Sequence, residues 1–131
     1  MVELVLVTHG QLAKEMLETA DQILGKSAEG VKTMSVTEAT SVDQGAKELQ
    51  ALMGDIPDGV VILTDIFGGS ATNIALRATK DVAKAHVITG LNLSMLLTAL
   101  NSRKKLTEKE LALKIESDGK RAVINATELL I

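Results

Sequence analysis

The chain has no cysteine, no tryptophan and no tyrosine. Without cysteine it has no disulfides and no thiolate metal sites, which fits a reducing compartment. The only aromatic residue is Phe67 and the only proline is Pro57. The core must therefore be filled with Leu, Val, Ile, Ala and Met, and the lone phenylalanine invites a question about its place. Charge of one sign is also scarce. The formal net charge is −3, and the longest basic run is Arg103-Lys104-Lys105, which gives no electrostatic case for nucleic acid. No apolar stretch approaches the length of a membrane span. The N-terminal apolar run is short, contains Glu3 and lacks a basic flank, so it is not a signal peptide. A soluble, cytoplasmic protein that is not membrane-embedded is expected.

What the sequence does contain is alternation. Its 131 residues suggest one domain over 1–131 that buries roughly two-thirds of its unfolded surface. Short apolar, β-branched runs predict strands at Glu3–Val7, Lys32–Ser35, Val60–Leu63, His86–Thr89 and Ala122–Asn125. Helical spacing predicts helices at Gln11–Ile23, Ser41–Met53, Ala71–Thr79, Leu93–Ser102 and Thr107–Ile115, the last opening with a Thr107/Glu110 capping box. Asp55–Gly59, with the proline, is a turn rather than a linker. The order implies right-handed crossovers and an α/β fold. We expect a mostly parallel open sheet, four parallel strands plus a C-terminal edge strand, with helices on both faces.

Three predicted strand ends carry polar residues to the carboxyl edge of that sheet, where open α/β proteins bind ligands. The first ends in Thr8-His9-Gly10. The third runs into Thr64-Asp65-Ile66-Phe67-Gly68-Gly69-Ser70, and the fourth into Thr89-Gly90-Leu91-Asn92. If the first and third strands are neighbours, Asp65 meets His9. A carboxylate on Nδ1–H fixes the tautomer of an imidazole and leaves Nε2 as a nucleophile. Gly68 and Gly69 let backbone approach a ligand, and the N–H groups of a helix start favour anions.

Each residue has a plainer role open to it. His9 is either reactive or a structural histidine that caps the next helix. Asp65 is either its partner or an acid favoured by a helix dipole. Ser70 either donates to a phosphoryl oxygen or only caps the helix from Ala71. Gly90 and Asn92 are turn and cap residues or line a pocket. Phe67 either fills the core, the default for a phenylalanine, or offers an apolar contact to a partner. His86, at the opposite edge, reads as an ordinary strand-end residue. There is no Walker A loop and no dinucleotide fingerprint, and two histidines without cysteine fall short of a metal site.

Val7-Thr8-His9-Gly10, Leu63–Asn73 with its Asp65…Gly68-Gly69-Ser70 core, and Thr89–Leu96 together resemble a known family. It is the mannose/sorbose-type enzyme IIA domain of the bacterial phosphoenolpyruvate-dependent sugar phosphotransferase system. The likeness covers nearly the whole chain. The family often has proline where this chain has Ala71, and alanine is accommodated there. The resemblance implies that His9 is the phosphorylated residue, taking a phosphoryl group from the phosphocarrier HPr and passing it to an enzyme IIB without a cofactor. Asp65 would orient it, Gly68, Gly69 and Ser70 would lie beside the phosphoryl group, and Thr8 and Asn92 would be near. It further implies a homodimer in which the C-terminal strand exchanges between subunits, and a functional link to a membrane permease that selects the sugar. The full Gly-Gly-Ser turn favours this branch over the dihydroxyacetone-kinase-linked one that shares the fold. Two other classes compete: a regulatory module that binds an anion or partner without turnover, and a small hydrolase. The hydrolase is disfavoured because no serine sits in a nucleophile elbow.

Overall fold

The computed structural model describes residues 1–130. The strands are β1 (Glu3–His9), β2 (Lys32–Val36), β3 (Val60–Thr64) and β4 (Ala85–Ile88). The helices are α1 (Leu12–Leu24), α2 (Val42–Met53), α3 (Ser70–Thr79), α4 (Leu93–Ser102), α5 (Glu108–Arg121) and the short α6 (Ala126–Leu129). All strand pairings are parallel, in the order β2-β1-β3-β4. None of the described helices is long and apolar enough to cross a membrane.

Chain direction and crossover handedness assign the helices to faces. The chain steps one way from β1 to β2, then back across to β3 and onward to β4. Right-handed crossovers therefore put α1 on one face and both α2 and α3 on the other. Side chains alternate accordingly. Leu4, Leu6, Val61 and Leu63 pack with Ala13, Ala20, Leu96, Leu111 and Ile115 from α1, α4 and α5. Val5, Val7, Val60 and Ile62 pack with Leu49, Met53, Ile74 and Ala75 from α2 and α3. β1 and β3 are covered on both faces, which explains their unbroken apolar runs. Each fully buried Leu or Ile there contributes about 1.5–3 kcal/mol. The reversal of strand order falls between β1 and β3, so the crevice of such a sheet opens where those two strands end.

The structure departs from the sequence expectation at the C-terminus. Ala122–Asn125 is not a strand; α5 continues to Arg121, Ala122 turns on from it, and a short irregular stretch leads to α6. Gly119, which lies beyond the helix end predicted at Ile115, is inside α5. Its missing side chain is used for packing, since a Cβ there would stand 2.4 Å from Met95 Cγ on α4. A strand also needs a hydrogen-bonding neighbour, and residues 122–125 have none within the described chain. Val123 and Ile124 are left exposed. The sheet is thus four-stranded, and the outer edge of β4 is unpaired.

Candidate functional site

β1 runs two residues further than its apolar pattern, so that His9 is its last residue. Its register with β3 places Val7 opposite Thr64, and Asp65 follows directly. The carboxyl ends of the two strands therefore deliver His9 and Asp65 to one place. A single carboxylate oxygen, Asp65 Oδ2, accepts from the His9 backbone N–H at 2.9 Å and faces Nδ1 of its ring at 2.8 Å. The other oxygen accepts from Ile66 N–H at 3.0 Å. The His9 side chain is 50% exposed and that of Asp65 only 12%. The acid is thus walled in while the imidazole stands in solvent.

Burial pushes the Asp65 carboxyl upward, but the hydrogen bonds from the His9 backbone and ring, with the ring's charge, outweigh it. The result lies below the ordinary carboxylate value of 3.8. Asp65 is therefore ionised at neutral pH and accepts a proton-bearing Nδ1. In the neutral ring held this way, Nε2 is the nitrogen that carries the lone pair.

The turn from Asp65 to Ser70 shapes the other wall. Gly68 has φ of +82°, the left-handed region that glycine enters without strain. Gly69 has an ordinary φ, and its constraint is space. A Cβ there would lie 3.2 Å from His9 Cε1 and 2.8 Å from Ile66 Cγ2. Its backbone is packed against the imidazole. Gly69, not Ser70, is the N-cap of α3, and it has no side chain with which to cap. Ser70 is the first helical residue, exposed, with its hydroxyl in no hydrogen bond among the described residues. Capping is therefore not what Ser70 does.

The other helices of comparable length are closed at this end. Ser41 caps α2 and Asn92 caps α4, while Thr107 and Glu110 form a reciprocal box on α5. Thr8 Oγ1 accepts from Ala13 N–H at 2.8 Å in the first turn of α1. Gln11, the N-cap of α1, makes no cap bond of its own, so α3 is the one helix of this size, among the described residues, in which no side chain accepts from a first-turn N–H. Its N–H groups carry the positive end of the helix dipole.

Two expected pocket residues have other duties. Thr8 is fully buried and serves α1. The Asn92 amide is committed at both ends, Oδ1 to Met95 N–H at 2.9 Å and Nδ2 to the Gly119 carbonyl at 3.2 Å. Phe67 is 81% exposed and Ile66 58% exposed. The single aromatic side chain is not core; it stands in solvent on the loop that carries Asp65. His86 meets Glu108 on α5 at the opposite edge, a pairing with no signal in the sequence because the two are remote in spacing and pattern. Thr64 and Thr72 are also joined beneath the turn. Two threonines eight residues apart, on a strand and a helix, carry no motif.

This arrangement can hold an imidazole in one tautomer, expose its far nitrogen and offer uncapped backbone donors beside it. Comparison with known proteins bears on what uses it. The family described as "PTS system fructose IIA component" matches residues 3–116. The chain is 32% identical over 104 residues to the "PTS system mannose-specific EIIAB component" of Escherichia coli K12, covering 78% of this chain and 32% of that protein. It thus spans about a third of that relative's length. The mannose/sorbose-specific IIA subunit from Enterococcus faecalis superimposes with a TM-score of 0.85 at 29% identity, over 95% of this chain and 93% of that one. The phosphotransferase system component EIIA from Streptococcus agalactiae superimposes with a TM-score of 0.88 at 23% identity, over 98% and 99% of the two chains, which supports the fold. The chain belongs to the fructose/mannose enzyme IIA family of the sugar phosphotransferase system.

Proposed function

We propose that residues 1–131 act as one phosphotransfer domain in which His9 is the transient carrier of the phosphoryl group. The observation that carries this reading is the hold of Asp65 on Nδ1, which leaves the exposed Nε2 beside the uncapped start of α3. In the proposed step the Nε2 lone pair attacks the phosphorus of a donor phosphohistidine. The donor's P–N bond breaks in line, and its imidazole leaves with that electron pair, neutral because its other nitrogen keeps its proton. His9 keeps Nδ1–H, so the phosphorylated ring is cationic, and the ionised Asp65 offsets that charge. Such a transfer needs positioning and charge stabilisation rather than acid–base work. The N–H groups of Ser70 and its neighbours offset phosphoryl charge as helix starts do, with the Ser70 hydroxyl as a further donor. Gly68 and Gly69 admit the group by keeping side chains out of its way. No cofactor enters this scheme.

HPr is the proposed donor and enzyme IIB the proposed acceptor, in the cytoplasm, feeding a membrane permease that takes up and phosphorylates a sugar. The exposure of His9, Ile66 and Phe67 supports docking of two proteins in turn: the reacting atom stands clear, and an apolar rim surrounds it. A homodimer with exchanged C-terminal segments is also proposed. An open groove of about 820 Å³ runs along β4, past Ala85, Val87 and Leu113. Residues 122–125, which have no partner strand among the described residues and leave Val123 and Ile124 exposed, suit the unpaired edge of a second copy's β4.

Incubation with phosphoenolpyruvate, enzyme I and HPr tests the reading. One acid-labile phosphoryl group is expected on the native chain and none on His9→Ala. Native-level labelling of His9→Ala, or an unlabelled native chain that only binds phosphate, sinks it.

A further inference from the structure

Beneath the site lies a pair of hydroxyls that the phosphoryl chemistry does not touch. Thr64 ends β3 and Thr72 stands in the first turn of α3; both are buried, 0% and 1% exposed. Their oxygens are 2.7 Å apart. Thr72 Oγ1 is also 2.6 Å from the carbonyl oxygen of Ile66. A carbonyl only accepts, and a hydroxyl has one proton. Thr72 must therefore give its proton to Ile66, and Thr64 must donate to Thr72. The donation has one direction: Thr64 to Thr72 to the Ile66 carbonyl.

That carbonyl matters because of what adjoins it. Ile66 is the residue after Asp65, and its own N–H is bonded to Asp65 Oδ1. The same carbonyl closes the turn by accepting from Gly69 N–H at 3.3 Å, the longer of its two bonds. Ile66 is thus held at both ends, by the carboxylate at its N–H and by Thr72 at its carbonyl. Through it the hydroxyl fixes Asp65, whose other oxygen holds His9, and Gly69, which packs on His9 Cε1. The outer side of this turn is largely open to solvent, since Ile66, Phe67 and Gly68 are exposed. Valine would fit the shape of either threonine and suit an apolar interior better. Two hydroxyls are retained where the loop carrying Asp65 has only an inner side from which to be held.

We infer that Thr72, backed by Thr64, is a positioning residue that sets the Asp65 carboxylate and the Gly69 backbone against the His9 imidazole. The inference rests on the proposed phosphohistidine role of His9, and its test separates the two. Thr72→Val keeps the shape and removes the donor. Its rate of phosphorylation by phosphoenolpyruvate, enzyme I and HPr should fall about 10- to 100-fold, the scale of a small misplacement at a reacting centre. The ¹⁵N imidazole shifts of its His9 should move away from the Nδ1–H tautomer. Thr72→Ser should bring both readouts back to within about twofold of the native chain. The double variant T64V/T72V removes both partners of the buried bond, so it should regain thermal stability over Thr72→Val while its transfer stays slow. Native rate and a native His9 tautomer in Thr72→Val would overturn the inference, leaving the pair a purely structural one. If Thr72→Val does not fold, T64V/T72V carries the same two outcomes. An unlabelled native chain refutes the phosphoryl role of His9, but the tautomer comparison still decides whether Thr72 positions the ring.

Discussion

His9 and His86 each face a carboxylate, at opposite edges of one sheet. At the carboxyl edge Asp65 takes Nδ1 and leaves Nε2 outward. At the amino edge Glu108 takes Nε2, the nitrogen furthest from the backbone, and turns the reactive end of the ring into the protein. The helix starts differ as well. Glu108 opens α5, whose first turn is closed by Thr107 and Glu110. Gly69 opens α3 and closes nothing. A histidine–carboxylate pair is therefore common to both places, and what separates them is which nitrogen is held and whether a helix start is free to meet an anion. One pair ties β4 to α5; the other leaves Nε2 outward beside the uncapped start of α3.

The comparison breaks most sharply on substitution of the histidines. His9→Ala should abolish phosphoryl labelling, whereas His86→Ala should keep it at native level; labelling lost from both would erase the distinction. Asp65→Asn removes the acceptor that selects the tautomer, and the transfer rate should fall about 100-fold or more in single-turnover measurements, with Glu108→Gln leaving it unchanged. Gly69→Ala drives a methyl toward His9 Cε1 and Ile66 Cγ2. It should slow transfer about tenfold or more while far-ultraviolet circular dichroism stays native.

Stability should respond in the reverse sense. Glu108→Gln leaves a partly buried ring with a weaker partner and should lower unfolding free energy by about 1 kcal/mol or less, read from urea midpoints. The smallest effect is in acid. The folded-state pKa of Asp65 lies below its ordinary value of 3.8, so its ionised form stabilises the fold above that value. That contribution is lost as pH falls through the lower folded pKa. The difference in unfolding free energy between the native chain and Asp65→Asn should therefore shrink as pH falls below the ordinary carboxylate range.

Much of this was legible in the sequence, for physical reasons that can be named. β1 and β3 announced themselves because strands covered on both faces are apolar throughout, while β2 and β4, at the sheet edges, showed only shorter β-branched runs. His9 and Asp65 were legible because each follows such a run, and neighbouring parallel strands bring their ends together. The C-terminal strand was misread because an apolar, β-branched run reports a tendency to pair and not the presence of a neighbour. The end of α5 was placed too early, at Ile115, because a helix uses glycine for close packing as well as for stopping, and only the contact of Gly119 with Met95 tells which. Of the two roles open to Ser70, the cap falls to Gly69 one residue earlier, since helix boundaries read from sequence shift easily by one position. Thr8 and Asn92 were expected near the site, and the structure shows their polar atoms taken up by helix starts and by Gly119. The Thr64–Thr72–Ile66 chain could not be read at all, because a hydroxyl pair between a strand and a helix depends on their packing.

The account stands most directly on which nitrogen accepts the phosphoryl group. Long-range ¹H–¹⁵N spectra of the ¹⁵N-labelled chain, recorded after phosphorylation by phosphoenolpyruvate, enzyme I and HPr, identify it. The phosphoryl group is predicted on Nε2 of His9, with Nδ1 still protonated against Asp65. A phosphoryl group on Nδ1 of His9, or on His86, would contradict the account.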